Sequence, residues 1–153
     1  MVYVLALLIG VVAGLRAMTA PAVVSWAAYL GWIDLSQSSL AFLGYRWTPW
    51  ILSLLAIAEF VTDQLPSTPS RKVPMQFAAR IITGAVSGAA LAAASGNMIA
   101  GLAAGAIGAV IGTLGGAALR QRLAAAFGRD RPAAVIEDIV AVGGALLIVG
   151  AAA

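Results

Sequence analysis

Long apolar segments, separated by short groups of charges and helix breakers, constrain this chain more than any other feature. Residues 98–119, for example, read MIAGLAAGAIGAVIGTLGGAAL and carry no charge. A helix of about 20 apolar residues crosses the hydrocarbon core of a bilayer, and it satisfies its own backbone hydrogen bonds there. Only 10% of the residues are charged, against roughly a quarter in soluble proteins. The sequence therefore predicts an all-α, polytopic transmembrane helix bundle.

The charges and helix breakers divide the chain into four or five spans of a single transmembrane domain, residues 1–153. Pro49 suits the first position of a helix, and the prolines of PSTPSRKVP interrupt the helix before them. Strands are excluded because the segments are long, rich in alanine and without alternation. The predicted spans are 2–31, 49–64, 77–94, 98–119 and 133–152.

The first of these segments, residues 2–31, is longer than one span requires. As a helix it measures about 45 Å, whereas the hydrocarbon core is about 30 Å thick. We expect one continuous helix, kinked near Gly14 and Pro21. The alternative is a re-entrant hairpin of two half-helices with GLRAMT at its tip. The segment lacks the basic residues that open a signal peptide, so we expect it to be retained.

The distribution of basic residues predicts how the chain is oriented. Leaving Arg16 aside, seven basic residues flank loops 65–76 and 120–132, and only Arg46 lies on the opposite side. Short loops rich in Lys and Arg stay in the cytoplasm. We therefore expect a multi-pass protein of the inner membrane with loops 65–76 and 120–132 in the cytoplasm and the C-terminus outside. A single first span would place the N-terminus inside.

The charges within the spans are the candidate functional residues. Glu59 and Asp63 share one helical face, since they are four residues apart, and Arg16 lies far from any predicted boundary. Ionisable groups at such depth are costly, so they face partners or water. Carboxylates there bind a cation or carry a proton, whereas a guanidinium counters a carboxylate or receives an anion. The ion- or solute-binding candidates are Arg16, Glu59, Asp63, Glu137 and Asp138, with Thr19 and Arg80 secondary.

A structural ion-pair network explains the same charges equally well. Arg16, Arg71, Lys72 and Arg80 are all available as partners for the carboxylates, and their pairing would lock the helices together. Asp138 also suits the first turn of the last helix, where the helix dipole favours a negative charge. Both interpretations stay open on the sequence alone.

Small residues at fixed spacing predict how the helices pack. Apolar burial drives little inside lipid, so association depends on the close backbone approach that small residues permit. We expect packing within the chain, and association of two copies is the alternative. The glycines concerned are Gly84 and Gly88 in the third span, and Gly101, Gly105, Gly108, Gly112 and Gly116 in the fourth.

The missing residue types limit the chemistry. The chain has no histidine and no cysteine, which removes thiol nucleophiles, imidazole bases and the usual zinc or haem ligands. No catalytic motif occurs, so we expect no enzyme, no catalytic residue and no cofactor, and the sequence specifies no metal. The pI near 10.0 follows from the orienting arginines, and nucleic acid is not an expected partner.

Several motifs, in this order, resemble those of the small bacterial membrane proteins of domain of unknown function 4126. They are GLRAMTAP, LGWIDL, TPWILSLLAIAEFVTDQLPSTPSR and EDIVAVGGALL, and together they extend over nearly the whole chain. The family commonly has a lysine after the aspartate of the third motif, where this chain has Gln64. The resemblance implies no activity. The positions that match the family pattern are Gly14, Arg16, Glu59, Asp63, Pro66, Glu137 and Asp138.

These observations favour an inner-membrane transporter or channel-like protein for a small ion or solute. The lipid bilayer is its expected partner, and a small cation, a proton or an anionic solute is its expected cargo. The alternative is a structural or assembly protein that transports nothing and whose charges form a network of ion pairs.

Overall fold

The computed structural model describes residues 1–65 and 70–153. Within them the chain forms six α-helices and no strand, so the all-α prediction is confirmed. Three helices, α4, α5 and α6, are long and apolar enough to cross a membrane; α1 and α3 are apolar but shorter. The helices are α1 (Val2–Leu15), α2 (Thr19–Tyr29), α3 (Thr48–Thr62), α4 (Pro74–Ala93), α5 (Met98–Phe127) and α6 (Asp130–Ala152), and a short 3-10 helix covers Ala41–Gly44.

The first apolar segment is two helices, so the continuous kinked helix expected over 2–31 is wrong. Helix α1 ends at Leu15, and Arg16 is extended, with φ −140° and ψ 110°. Helix α2 begins at Thr19. Pro21 therefore lies in the first turn of a new helix, where a missing N–H breaks no helical hydrogen bond.

Helices α1 and α2 form a hairpin whose two outer ends lie at the same end of the bundle. Helix α1 runs parallel to α5, because Leu7 packs on Gly108 and Val11 packs on Gly112. Helix α2 then runs back, and the loop after it places Asp34 in one cavity wall with Asn97. The alternative arrangement, a hairpin with GLRAMT at its tip, therefore matches the structure.

The two ends of the bundle differ in character. We call the end that holds residues 30–47 and 94–97 the turn end. The opposite end holds the tip of the α1–α2 hairpin, residues 63–65 after α3, residues 70–73 before α4, and the link between α5 and α6. We call it the charged end, because five of the six carboxylates of the chain lie there.

Helix α5 packs between α1 and α4 through its glycines, and the predicted packing within the chain is confirmed. A Cβ atom added to Gly108 would overlap the carbonyl of Leu7, and one added to Gly105 would lie 2.9 Å from the carbonyl carbon of Gly84. Alanine and small aliphatic side chains complete the contact, with Ile9 and Ala13 of α1 fully buried.

The predicted helix boundaries agree best with the structure where a helix-breaking residue is present. Helix α3 begins at Thr48 with Pro49 in its first turn, as expected. Helix α5 continues to Phe127, so the loop predicted at 120–132 is wrong; arginine, leucine and alanine are good helix formers. Only Gly128 and Arg129 separate α5 from α6, and Gly128 ends α5 with a left-handed φ of 68°.

Two further boundaries concern the loop predicted at 65–76. Helix α4 begins at Pro74, three residues earlier than the predicted span, and proline occupies its first turn. The predicted span 49–64 ends two residues late, since α3 ends at Thr62. Pro66, which the family resemblance singled out, lies outside the described residues, as do the three positions that follow it.

Candidate functional site

The charged end carries two groups of ion pairs, which we call together the charge network: seven connected residues, and the pair of Glu59 with Arg80, which binds the backbone of the same hairpin tip. Side chains from α3, α4, α5 and α6 meet there around the tip of the α1–α2 hairpin. All five primary candidates from the sequence belong to it, together with Arg80. The members are Arg16, Glu59, Asp63, Arg71, Arg80, Arg120, Asp130, Glu137 and Asp138.

Arg16, at the tip of the hairpin, is completely buried. Its Nη1 donates to Asp63, and its Nε donates to Oδ1 of Asp138 at 2.5 Å. Nη2 lies 2.5 Å from the same oxygen, as an ion pair without hydrogen-bond geometry. Glu137 is more distant, at 3.8 Å. Arg16 therefore has one carboxylate partner at the C-terminal end of α3, Asp63, and another on α6, Asp138.

Glu59 binds the backbone at the start of α2. Its Oε1 accepts from the N–H of Ala17 at 2.8 Å, and its Oε2 accepts from the N–H of Met18 at 2.9 Å. Met18 is the N-cap of α2 and Ala17 directly precedes it, so neither N–H has a partner within the helix. The carboxylate also faces the positive end of the helix dipole. Glu59 thus acts as a cap supplied by another helix.

Arg80 caps the C-terminal end of α1, as Glu59 caps the start of α2. Its Nη1 donates to the carbonyls of Gly14 and Leu15, at 3.0 and 2.8 Å. A cation is favoured at a helix C-terminus, where carbonyls lack partners. Nη2 of Arg80 also lies 3.5 Å from Glu59. The break between α1 and α2 is therefore closed on both sides by side chains of opposite charge.

Glu137 joins α6 to the segment before α4 and to α5. Arg71 donates to both of its oxygens, at 2.5 and 2.8 Å, and Arg120 donates to Oε2 at 3.3 Å. Arg120 also pairs with Asp130 through two hydrogen bonds of 2.9 and 2.5 Å. Sequence reasoning missed Arg120 and Asp130, because it placed both in a loop. Their signal was the seven-residue spacing from Asp130 to Glu137, which puts both on one face of a helix.

A cavity of about 400 Å³ lies beside the charge network and opens at the charged end. Four of its side chains are cationic, Arg71, Lys72, Arg80 and Arg120, and only Asp63 and Asp130 are anionic. The remaining lining is polar or small, apart from one leucine. It consists of Leu65, Ser70, Gln76, Ala117, Gln121 and Ala124.

The other candidates lie away from this cavity. Arg16, Glu59, Glu137 and Asp138 are in the network but not in the cavity wall. Thr19 is buried at the start of α2, and its hydroxyl has no hydrogen-bond partner among the described residues. Within residues 1–65 and 70–153, no three carboxylates are placed to hold a metal ion together.

Comparison with known proteins places the chain in a family without adding an activity. No curated protein and no solved structure is similar enough to count as a match. The family model described as Domain of unknown function (DUF4126) matches residues 3–152. That match covers nearly the whole chain, so the resemblance drawn from the motifs is confirmed and this protein belongs to the DUF4126 family.

Proposed function

We propose that this protein is a small transporter of the inner membrane that admits a small solute through the cavity at its charged end. The observation that carries the proposal is the cavity itself. It is large enough for a small solute, at about 400 Å³, and its wall includes Arg80, whose side chain also holds the tip of the α1–α2 hairpin. Helix ends that face a polar site are typical of transporter binding sites, and Gln76 in the first turn of α4 lines this cavity.

The proposed orientation places the charged end in the cytoplasm. Gly116 lies level with the network, beside Arg71 and Glu137, and α5 rises about 27 Å from there to Met98. That length is close to the thickness of a hydrocarbon core, about 30 Å. The network would then lie near the inner boundary of the membrane, with the basic residues on the cytoplasmic side. Helices α3, α4, α5 and α6 then cross from one side to the other, since α3 also connects the turn end to the charged end. The α1–α2 hairpin enters the bilayer from outside and returns.

The glycine contacts would close this path toward the turn end. Helices α1, α4 and α5 meet there backbone to backbone, at Gly10 with Gly105 and at Gly88 with Gly101. Passage therefore requires the α1–α2 hairpin to move away from α5. The ion pairs at the tip would hold the hairpin against α5 or release it. They would thus act as a gate at the cytoplasmic end of the path.

A structural role without transport is the second candidate, and it too has an observation in its favour. The charges of the buried Arg16 and the half-buried Glu59 are engaged by partners within the chain, which is what a locking network requires. Both candidate functions predict a stable bundle. Only the transport proposal predicts that filling the cavity with a side chain reduces flux.

Blocking the cavity tests the proposal. Ala124 lines it, so Ala124→Trp should fill it without touching an ion pair. Ala126→Trp, at an exposed position two residues away, is the matched control. Flux into proteoliposomes should fall at least tenfold in Ala124→Trp and stay unchanged in Ala126→Trp. A wild-type protein that carries no proton, common metal ion or small anion would refute transport and leave the structural role.

A further inference from the structure

We propose that the cavity at the charged end binds a phosphate group, held by the N-terminus of α4, Lys72 and Arg80. This inference rests on the proposed function, since it names the class of solute that the transporter would take. Three features of the cavity wall support it.

The first feature is an unused donor on Arg80. The residue is only 2% exposed, and its Nε has no hydrogen-bond partner among the described residues. Its Nη1 is already engaged by two backbone carbonyls. A buried guanidinium N–H without an acceptor is costly, and Arg80 forms part of the cavity wall. An oxyanion in the cavity would supply the missing acceptor.

The second feature is the N-terminus of α4. This helix is 20 residues long, begins with Pro74, and has no side chain capping its first N–H groups. Such an end attracts anions, because its N–H groups are free and the helix dipole is positive there. Gln76, in the first turn, lines the cavity together with Arg80. These two residues are four positions apart, so they share one face of α4.

The third feature is Lys72, the cation of the wall that is not in the charge network. Its ammonium group makes no ion pair with any described residue, although it lines the cavity. A lysine ammonium is a compact donor suited to phosphate. It lies four residues before Gln76, on the approach to the same helix end.

The balance of charge favours an anion with two negative charges. The wall carries four cations and two carboxylates, a difference of +2. The charge network and Lys72 together are neutral, since they contain five cations and five carboxylates. The carboxylates of Glu59, Glu137 and Asp138 therefore lie behind the wall and leave its surface cationic. A phosphate monoester carries a charge of about −1.5 to −2 at pH 7, which matches this surface.

The phosphate can come from two sources, a soluble phosphate ester or the headgroup of an anionic lipid. A volume of about 400 Å³ accommodates an organic substituent as well as the phosphate. In the proposed orientation the cavity also opens at the level of the lipid headgroups. The chemistry that recognises the two ligands is the same, so the experiment has one arm for each.

Binding to the full-length protein in a neutral detergent tests the inference. Calorimetry with inorganic phosphate and glycerol phosphate, against chloride at equal ionic strength, tests the soluble source. Native mass spectrometry with phosphatidic acid, whose headgroup is a phosphate monoester, against phosphatidylcholine, tests the lipid source. Lys72→Gln should weaken binding at least about tenfold. Arg122→Gln removes one charge from an exposed position outside the cavity wall, and should leave binding unchanged.

Binding of the soluble phosphates that depends on Lys72 supports a solute site, and the same dependence for phosphatidic acid alone supports a headgroup site. Failure of both probes to bind, or equal losses in the two variants, overturns the inference. Failure of the transport proposal is distinguishable from failure of the phosphate proposal. Flux of another solute that Ala124→Trp blocks would keep transport and reject phosphate, whereas phosphate binding without flux would keep the site and reject transport.

Discussion

Each charged side chain at the tip of the α1–α2 hairpin is held by a partner of a particular chemical kind. Arg16 is bound by carboxylates, Glu59 is bound by backbone N–H groups, and Arg80 is bound by backbone carbonyls. A charge without such partners costs several kcal/mol in an apolar layer. The three residues therefore depend on one another, because each is positioned by the helix break that the others stabilise.

Replacing Arg16 by lysine tests this dependence with the charge unchanged. The guanidinium contacts α3 through Asp63 and α6 through Asp138 at once, and one ammonium cannot reproduce that planar arrangement. Arg16→Lys should lower the free energy of unfolding in detergent by about 2 kcal/mol. Arg46→Lys, at an exposed position of the turn end, should change it little. Equal unfolding curves for Arg16→Lys and wild type would contradict the assigned contacts.

At the scale of helices, the sequence predicted which helices exist and in what order better than it predicted where each helix begins and ends. Five apolar segments were recognised, and breakers such as Pro49 located one start to within a residue. The break in the first segment was only an alternative, because its stabilising groups, Glu59 and Arg80, come from other helices. Local sequence does not show which backbone groups a distant side chain will cap. The sequence did not predict the ion pair of Arg120 with Asp130 either, because that pair depends on α5 and α6 extending beyond the predicted spans.

The packing of α5 yields a prediction with a control inside the same helix. A Cβ atom at Gly105 would lie 2.9 Å from the carbonyl carbon of Gly84, whereas one at Gly115 meets nothing within 4 Å. Gly105→Ala should therefore destabilise the bundle by about 1–3 kcal/mol through overpacking. Gly115→Ala should be neutral or stabilise it by up to about 1 kcal/mol, since alanine favours helix. Thermal unfolding in detergent distinguishes the two, and equal destabilisation would contradict the packing described here.

At the scale of the whole molecule, the hairpin changes the topology that the charges alone suggest. A single first span would place the N-terminus on the cytoplasmic side, opposite the C-terminus. In the structure α1 runs from the turn end to the charged end, and α6 runs from the charged end back. Both ends of the described chain therefore lie at the turn end. If the charged end faces the cytoplasm, as the basic residues predict, both ends lie outside.

Cysteine labelling in intact cells tests this topology, because the natural chain contains no cysteine. Ser70→Cys and Arg129→Cys lie at the charged end, and should react only with reagents that enter the cytoplasm. Arg129 is preferable to its neighbour Gly128, whose φ of 68° would strain a cysteine. Single cysteines attached before Met1 and after Ala153 should both react with a reagent that cannot cross the membrane. Labelling of the C-terminal cysteine alone from outside would indicate that the first segment crosses the membrane once, and it would refute the re-entrant hairpin.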